Sequence, residues 1–322
     1  MDYVADVSEF LAERIWPEAL IERSIFGTDE PNQIWSQVLE LCPEAASCFA
    51  FEVSVGAVFG LVLRDGSRLA LKVHVGRVDP DYLQAAQEVQ RHLFENGFPC
   101  PEPLGVGERA TFEEWRDDGS YRDAHEPEVR RAIAEQLAAL FRATAELEPI
   151  AALEPFFPRK SDRLWPVPHN VLFDFEATGR GAEWIDEIAQ TAKQRRHDDP
   201  GGLVIGHHDW VVKHFRFDDL LRPTVIYDWD SLSADLETSF VGEAASTFTY
   251  TEHLPVSLWP TPEEAGAFVE DYIAARGSPF TPAERRAVNA AAVYSRAYST
   301  RCVHALGDAS HMQLHEYAEA FL

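Results

Sequence analysis

The chain has 322 residues and a formal net charge of −26. With no clustered Lys/Arg stripe, so acidic a surface repels nucleic-acid phosphates and anionic lipid. At 46% hydrophobic residues with eight Trp, it has the material for a large core, which excludes a disordered chain.

No apolar run reaches the roughly 20 residues that a membrane span needs. The first residues carry Asp2, Asp6, Glu9 and Glu13, where a secretory leader would be cationic and then apolar. Residues 1–47 carry a helical pattern. The period then changes to β-branched and aromatic runs at 49–55, 58–63 and 69–73, separated by Gly56 and Asp65-Gly66, which reads as an antiparallel meander. Asp79-Pro80 is a helix cap followed by proline at the first helical position, and Leu83, Ala86, Val89 and Leu93 recur at helical spacing until Gly97. Pro99, Pro101 and Pro103 keep the chain extended before two more strands, 104–106 and 111–115, and the turn Asp117-Asp118-Gly119. Residues 1–116 are therefore expected to form a first lobe: a five-stranded antiparallel sheet with one key helix and a leading helical segment 1–47.

The pattern of the second half is different. Val129, Ile133, Leu137, Leu140 and Phe141 mark one face of a helix over 126–147. Five prolines between 149 and 168 mark a crossing loop, and 182–197 is a charged amphipathic helix. Brief strands are expected at 203–205, 215–217 and 224–227, with helix from 235 to the end. The fold class is α+β, with 117–322 a mostly helical second lobe. Of the four cysteines (Cys42, Cys48, Cys100, Cys302) none forms a C-x-x-C pair, which implies buried thiols in a reducing, cytoplasmic setting.

The densest polar run, His207-His208-Asp209 through Lys213-His214, follows a strand, and Asp228-Trp229-Asp230 ends another. A tight hairpin between them would bring Asp209 and Asp228 together. Crowded carboxylates repel, and a divalent cation relieves the repulsion, with Mg²⁺ the natural choice. Such a cation takes its remaining ligands from substrate phosphates, which leaves the other carboxylate to orient a hydroxyl nucleophile. In the first lobe, Lys72 is the one cation within the apolar strand 69–73 and needs an anionic partner. Glu88, in the middle of the next helix, is the best candidate, and a lysine so held can contact nucleotide phosphates. Ser54 and Gly56, with Gly60, could bring backbone N–H groups over those phosphates. Taken singly, each residue also has a structural reading: Lys72 as an edge-strand guard, His207 and His208 as loop braces, Asp228 and Asp230 as turn formers.

The order of strand Lys72, helix Glu88, the H-x-D of His207 and Asp209, and Asp228-Trp229-Asp230 resembles the aminoglycoside phosphotransferase and choline kinase group of the protein-kinase-like fold, over roughly residues 49–244. The resemblance implies a bilobal fold with Asp209 as the catalytic aspartate and His207 with it in the catalytic set, Lys72 on the α/β-phosphates with Glu88 as its partner, Asp228 as the metal-binding aspartate and Asp230 as the second acidic residue at the metal. It departs at two places. His208 stands where the pattern has Gly, and His214 stands where it has the metal-binding Asn; an imidazole suits Mn²⁺ or Zn²⁺ better than an amide oxygen does.

The expected activity is transfer of the γ-phosphoryl group of ATP or GTP, with Mg²⁺ or Mn²⁺, to a hydroxyl of a small molecule. The acidic chain would favour a cationic acceptor, such as an aminoglycoside or another cationic antibiotic. Two other readings stay open: a kinase-fold protein that binds a nucleotide and transfers nothing, and a metallohydrolase in which His207, Asp209 and His214 hold a metal and a water.

Overall fold

The computed structural model describes residues 16–75, 79–148, 150–157, 161–196, 201–307, 309 and 312–322, so the start of the expected leading helix lies outside the described residues. The chain divides into two units. The first runs through Arg91 and takes in Pro101–Arg116 and Pro168–Phe173; the second holds His92–Cys100, Asp117–Val167 and the chain from Asp174 onward.

In the first unit, α1 (Trp16–Phe26) and α2 (Pro31–Leu41) precede β1 (Ala45–Val53), β2 (Ala57–Leu63) and β3 (Arg68–Val73). Next come α3 (Pro80–Glu95), β4 (Pro103–Val106) and β5 (Ala110–Glu114). The strands pair antiparallel in the order β1-β2-β3-β5-β4. Strand β1 begins earlier than the sequence pattern suggests, because Ala45 and Cys48 are buried on the sheet. Leu69, Leu71 and Val73 of β3 share one core with Phe59 and Leu61 of β2 and with Ile21, Ile25, Phe26, Ile34, Trp35 and Val38 of α1 and α2. Each such side chain contributes about 2 kcal/mol by leaving water. Helices α1 and α2 therefore cover one face of the sheet. Arg109 ties them down by donating to the Ile25 carbonyl (2.7 Å) and to Gln37 Oε1 (2.8 Å).

The second unit is mainly helical: α4 (Pro127–Ala143), α5 (Glu183–Arg196), α6 (Glu237–Thr247), α7 (Pro262–Arg276), α8 (Pro282–Leu306) and α9 (Leu314–Phe321). Thr261 with Glu264, and Thr281 with Glu284, close capping boxes at the starts of α7 and α8, with proline at the first turn of each. Two antiparallel ribbons interrupt the helices. One pairs β6 (Leu203–His207) with β9 (Leu232–Leu236), and the other pairs β7 (Phe215–Phe217) with β8 (Pro223–Ile226). Helix α6 is buried on all sides from Thr238 to Ser246, and Gly242 lies so close to the Val288 carbonyl of α8 that a Cβ has no room. Strand β9 was not expected from the sequence; all five of its residues are buried, so it shows no alternation. Among the described residues, no helix is long and apolar enough to cross a membrane.

Candidate active site

Strand β6 delivers His207 into the interior, 1% exposed, with its ring edge-on to Trp210 and Trp229 at 5.6 Å between centroids. Its Nδ1 accepts the backbone N–H of Asp209 (3.1 Å), so the proton of the neutral ring sits on Nε2. Burial pushes the His207 pKa down to about 4. His207 thus lies beside Asp209, as expected, and fixes its backbone.

The chain then makes one 3₁₀ turn, Val212–His214, pinned by Val212 N–H to the Phe248 carbonyl (2.9 Å) and Lys213 N–H to the Tyr250 carbonyl (3.1 Å) at the end of α6. His214 closes that turn. The β7–β8 ribbon returns the chain to it, where Tyr227 N–H donates to the His214 carbonyl (3.0 Å). Asp228 follows with φ 71° and ψ 41°, a left-handed conformation that Asp adopts more readily than most residues. Ser231 Oγ donates to its Oδ2 (2.8 Å) and holds the carboxylate.

These local constraints bring three donors together. His214 Nε2 lies 2.8 Å from Asp209 Oδ2 and 3.8 Å from Asp228 Oδ2. One ligand atom from each of Asp209, His214 and Asp228 falls within 4.8 Å of the others. Two carboxylate oxygens and one imidazole nitrogen at this spacing fit a divalent cation, and the nitrogen shifts the preference toward Mn²⁺ or Zn²⁺ relative to an all-oxygen set. Enclosure acts to raise the Asp209 pKa, but the charge and hydrogen bond of His214, with Lys213 nearby, outweigh it and hold the carboxyl well below the usual carboxylate range. Asp230 lies in the 3₁₀ turn Trp229–Ser231, outside this group of three. His207 is outside it as well, so the His207, Asp209 and His214 set expected for a metallohydrolase is not assembled.

The first unit carries the other expected residues. Lys72 Nζ lies 3.5 Å from Glu113 Oε1 of β5, and both residues are buried. This corrects the expected Glu88 partner. Glu88 is on the exposed face of α3 and accepts a hydrogen bond from Gln84 (3.0 Å). The face of α3 turned to the sheet instead carries Gln87, which donates to the carbonyls of Gly105 (2.5 Å) and Phe112 (3.2 Å), and Gln90, which donates to the Pro101 carbonyl (3.1 Å). Glu113 is an acid inside a strand, the same signal that Lys72 gives as a cation, but the pairing of β5 with β3 that joins them is not written in local spacing. Ser54 and Gly56 form the β1–β2 turn, where Ser54 N–H donates to the Gly56 carbonyl (2.9 Å) and the Ser54 carbonyl accepts from Asn170 Nδ2 (3.0 Å). A Cβ at Gly56 would meet the Val73 carbonyl oxygen at 2.8 Å, so a side chain is excluded there. Gly60 is not in the turn; it lies within β2 under the rings of Phe49 and Trp115.

No protein-family model matches the sequence, and no curated protein matches it. Solved structures do. The fold is similar to that of the amicoumacin kinase hAmiN in complex with AMP-PNP, Ca²⁺ and Ami, at 12% identity, covering 89% of this chain and 92% of that one, with a TM-score of 0.64. It is similar to the choline kinase LicA from Streptococcus pneumoniae at 11% identity, covering 90% and 96%, with a TM-score of 0.57. An ADP-bound aminoglycoside phosphotransferase, APH(2'')-Ib, matches at 11% identity over 90% and 96%, with a TM-score of 0.51. The five-stranded antiparallel sheet, the helical remainder and these likenesses together give this chain the protein-kinase-like fold of the aminoglycoside phosphotransferase and choline kinase group.

Proposed function

We propose that this protein is a small-molecule kinase, which transfers the γ-phosphoryl group of ATP or GTP to a hydroxyl of its acceptor. The observation that carries the reading is the convergence of Asp209, His214 and Asp228 at the ends of two ribbons, in a chain with the fold of small-molecule kinases. Asp209, held ionised, orients the acceptor hydroxyl and receives its proton. Asp228 would hold a divalent cation, Mg²⁺ or Mn²⁺, with His214 as a further ligand once its Nε2 gives up the proton it shares with Asp209, and the cation would neutralise charge on the phosphate oxygens. Lys72, oriented by Glu113, binds the nucleotide phosphates. The O–P bond to the acceptor forms as the bond to the leaving nucleoside diphosphate breaks. Phosphate positioning by the Ser54–Gly56 turn belongs to the same reading, as does a cationic acceptor, which the net charge of −26 would attract.

A second reading, a nucleotide-binding protein without transfer, is favoured by the hydrogen bond that His214 makes to the Asp209 oxygen needed as base. One experiment separates the two. The protein is incubated with Mg²⁺ or Mn²⁺, ATP or GTP and a panel of hydroxyl-bearing amines, aminoglycosides included, and the products are read by mass spectrometry. The kinase reading expects an acceptor 80 Da heavier, about the mass of the HPO₃ gained in phosphoryl transfer. It also expects Asp209→Ala to lose product formation by at least about 10³-fold while keeping nucleotide binding. Retained turnover in Asp209→Ala contradicts the assignment, and binding without product under every condition favours the second reading.

A further inference from the structure

His208, the residue between His207 and Asp209, is half-buried and engaged on three sides. Its backbone N–H donates to the Ser231 carbonyl (2.9 Å), in the turn that follows Asp228. Its Nε2 accepts the backbone N–H of Phe156 (2.9 Å), and its Nδ1 faces Glu243 Oε2 at 3.0 Å. A ring nitrogen that accepts a backbone N–H carries no proton, so the ring's proton sits on Nδ1 and is donated to Glu243. Glu243 is itself buried on α6, with its second oxygen 3.5 Å from Arg196 Nη2 of α5, which is in turn 3.9 Å from Asp235 Oδ2 of β9. The residue before Asp209 thus joins the crossing loop at Phe156, helix α6 and the turn after Asp228, and through Glu243 reaches α5. A glycine at this position would have the backbone bond alone. Its greater backbone freedom would also loosen the loop.

We propose that His208 is a positioning residue for Asp209, which passes the anchorage of Glu243 and Phe156 to the loop that carries the reacting carboxylate. Its effect on turnover rests on the phosphotransferase reading; its effect on the loop does not. His208 touches no reacting atom in this scheme and works through the backbone of its neighbour. Small displacements of a reacting group lower a rate steeply while substrate contacts elsewhere stay intact.

The test uses the full chain in five forms: wild type, His208→Ala, Glu243→Met, the double variant of these two, and Glu243→Gln, which keeps an oxygen that accepts from Nδ1. Two readouts are taken, steady-state phosphoryl transfer to the best acceptor of the wild type and amide hydrogen exchange. Positioning predicts that kcat falls about tenfold in His208→Ala and in Glu243→Met, with KM for nucleotide and acceptor within about twofold. It predicts that the double variant is no slower than either single one, and that Glu243→Gln stays within about twofold of wild type. Exchange across 208–214 rises in the two impaired variants and stays unchanged in β7 and β8. A His208→Ala variant with wild-type kcat, losses that multiply in the double variant, or exchange that rises evenly over the whole unit would each overturn the proposal. Should Glu243→Met fail to fold, His208→Ala against Glu243→Gln still decides it. Should the wild type transfer no phosphoryl group, the kinase reading fails, and the exchange pattern alone judges the positioning.

Discussion

Lys72 and Glu113 meet because β3 and β5 are neighbours in register, Lys72 opposite Thr111, so that Glu113 falls two residues along on the same face. Both side chains are buried, and neutralising one member of a buried ion pair removes part of what compensates the other charge. Glu113→Gln is therefore expected to lower the free energy of unfolding by about 3 kcal/mol. Glu88→Gln, on the exposed face of α3, should change it by less than about 0.5 kcal/mol. Urea denaturation of the two variants checks this, and equal effects would return the role to Glu88. The contrast also shows what a single residue pattern conveys. That a strand-centre lysine needs an acid was readable from 69–73, but which acid answers depends on strand order, with β5 inserted beside β3, and on the phase of α3. Neither is written in local spacing. Asp209 and Asp228 were readable as a pair because each ends a strand and one ribbon spans them. The inward turn of His207 was not, since it depends on where Trp210 and Trp229 pack.

At the scale of elements, the strands and helices with clean periodicity, β2, β3, α3, α4 and α5, lie close to their expected bounds. Those buried on both sides or serving as cover are harder to read. Strand β9 carries Ser233 and Asp235 in a wholly buried run, so polarity does not alternate with exposure. Helices α1 and α2 show a helical pattern, but only the structure shows that their apolar faces share a core with the sheet. Helix α6 matters to the site because it receives the 3₁₀ turn of His214 at its C-terminal end and supplies Glu243. Its seat against α8 depends on the absence of a side chain at Gly242. Adding one methyl group there sets a Cβ against the backbone of α8, which cannot move without shifting a 25-residue helix. Gly242→Ala is expected to cost about 3 kcal/mol despite its gain in helix propensity, which overpacking outweighs. Thermal denaturation should show a drop of several degrees; an unchanged or raised Tm would mean that the helices have slack.

For the molecule as a whole, charge is the dominant sequence feature, and it has a consequence for stability against pH. His125 is held by Glu264 Oε1 at its Nδ1 (2.7 Å) and by the Ser257 carbonyl at its Nε2 (2.9 Å). Burial works to lower its pKa, but these two acceptors and the nearby Asp123 prevail and raise it above the ordinary 6.5. A group whose pKa is raised on folding adds stability that is fully present below about 6.5, its unfolded value. That stability is lost as pH rises through the folded value. The wild type should therefore lose part of its unfolding free energy between about pH 6 and pH 8, and His125→Gln should lose less over the same interval. Urea titrations at the two pH values measure the difference, and an identical loss in both proteins would show that other groups carry it.

On the proposed function, Asp228 and His214, beside Asp209, seat a divalent cation that carries the phosphates of a nucleotide. Isothermal titration of ATP into wild type and Asp228→Ala, each with Mg²⁺, with Mn²⁺ and without divalent metal, tests it most directly. The account predicts metal-dependent binding in the wild type and at least about a tenfold loss of that dependence in Asp228→Ala. Equal affinity of the two proteins with metal present, or wild-type binding indifferent to metal, would contradict it.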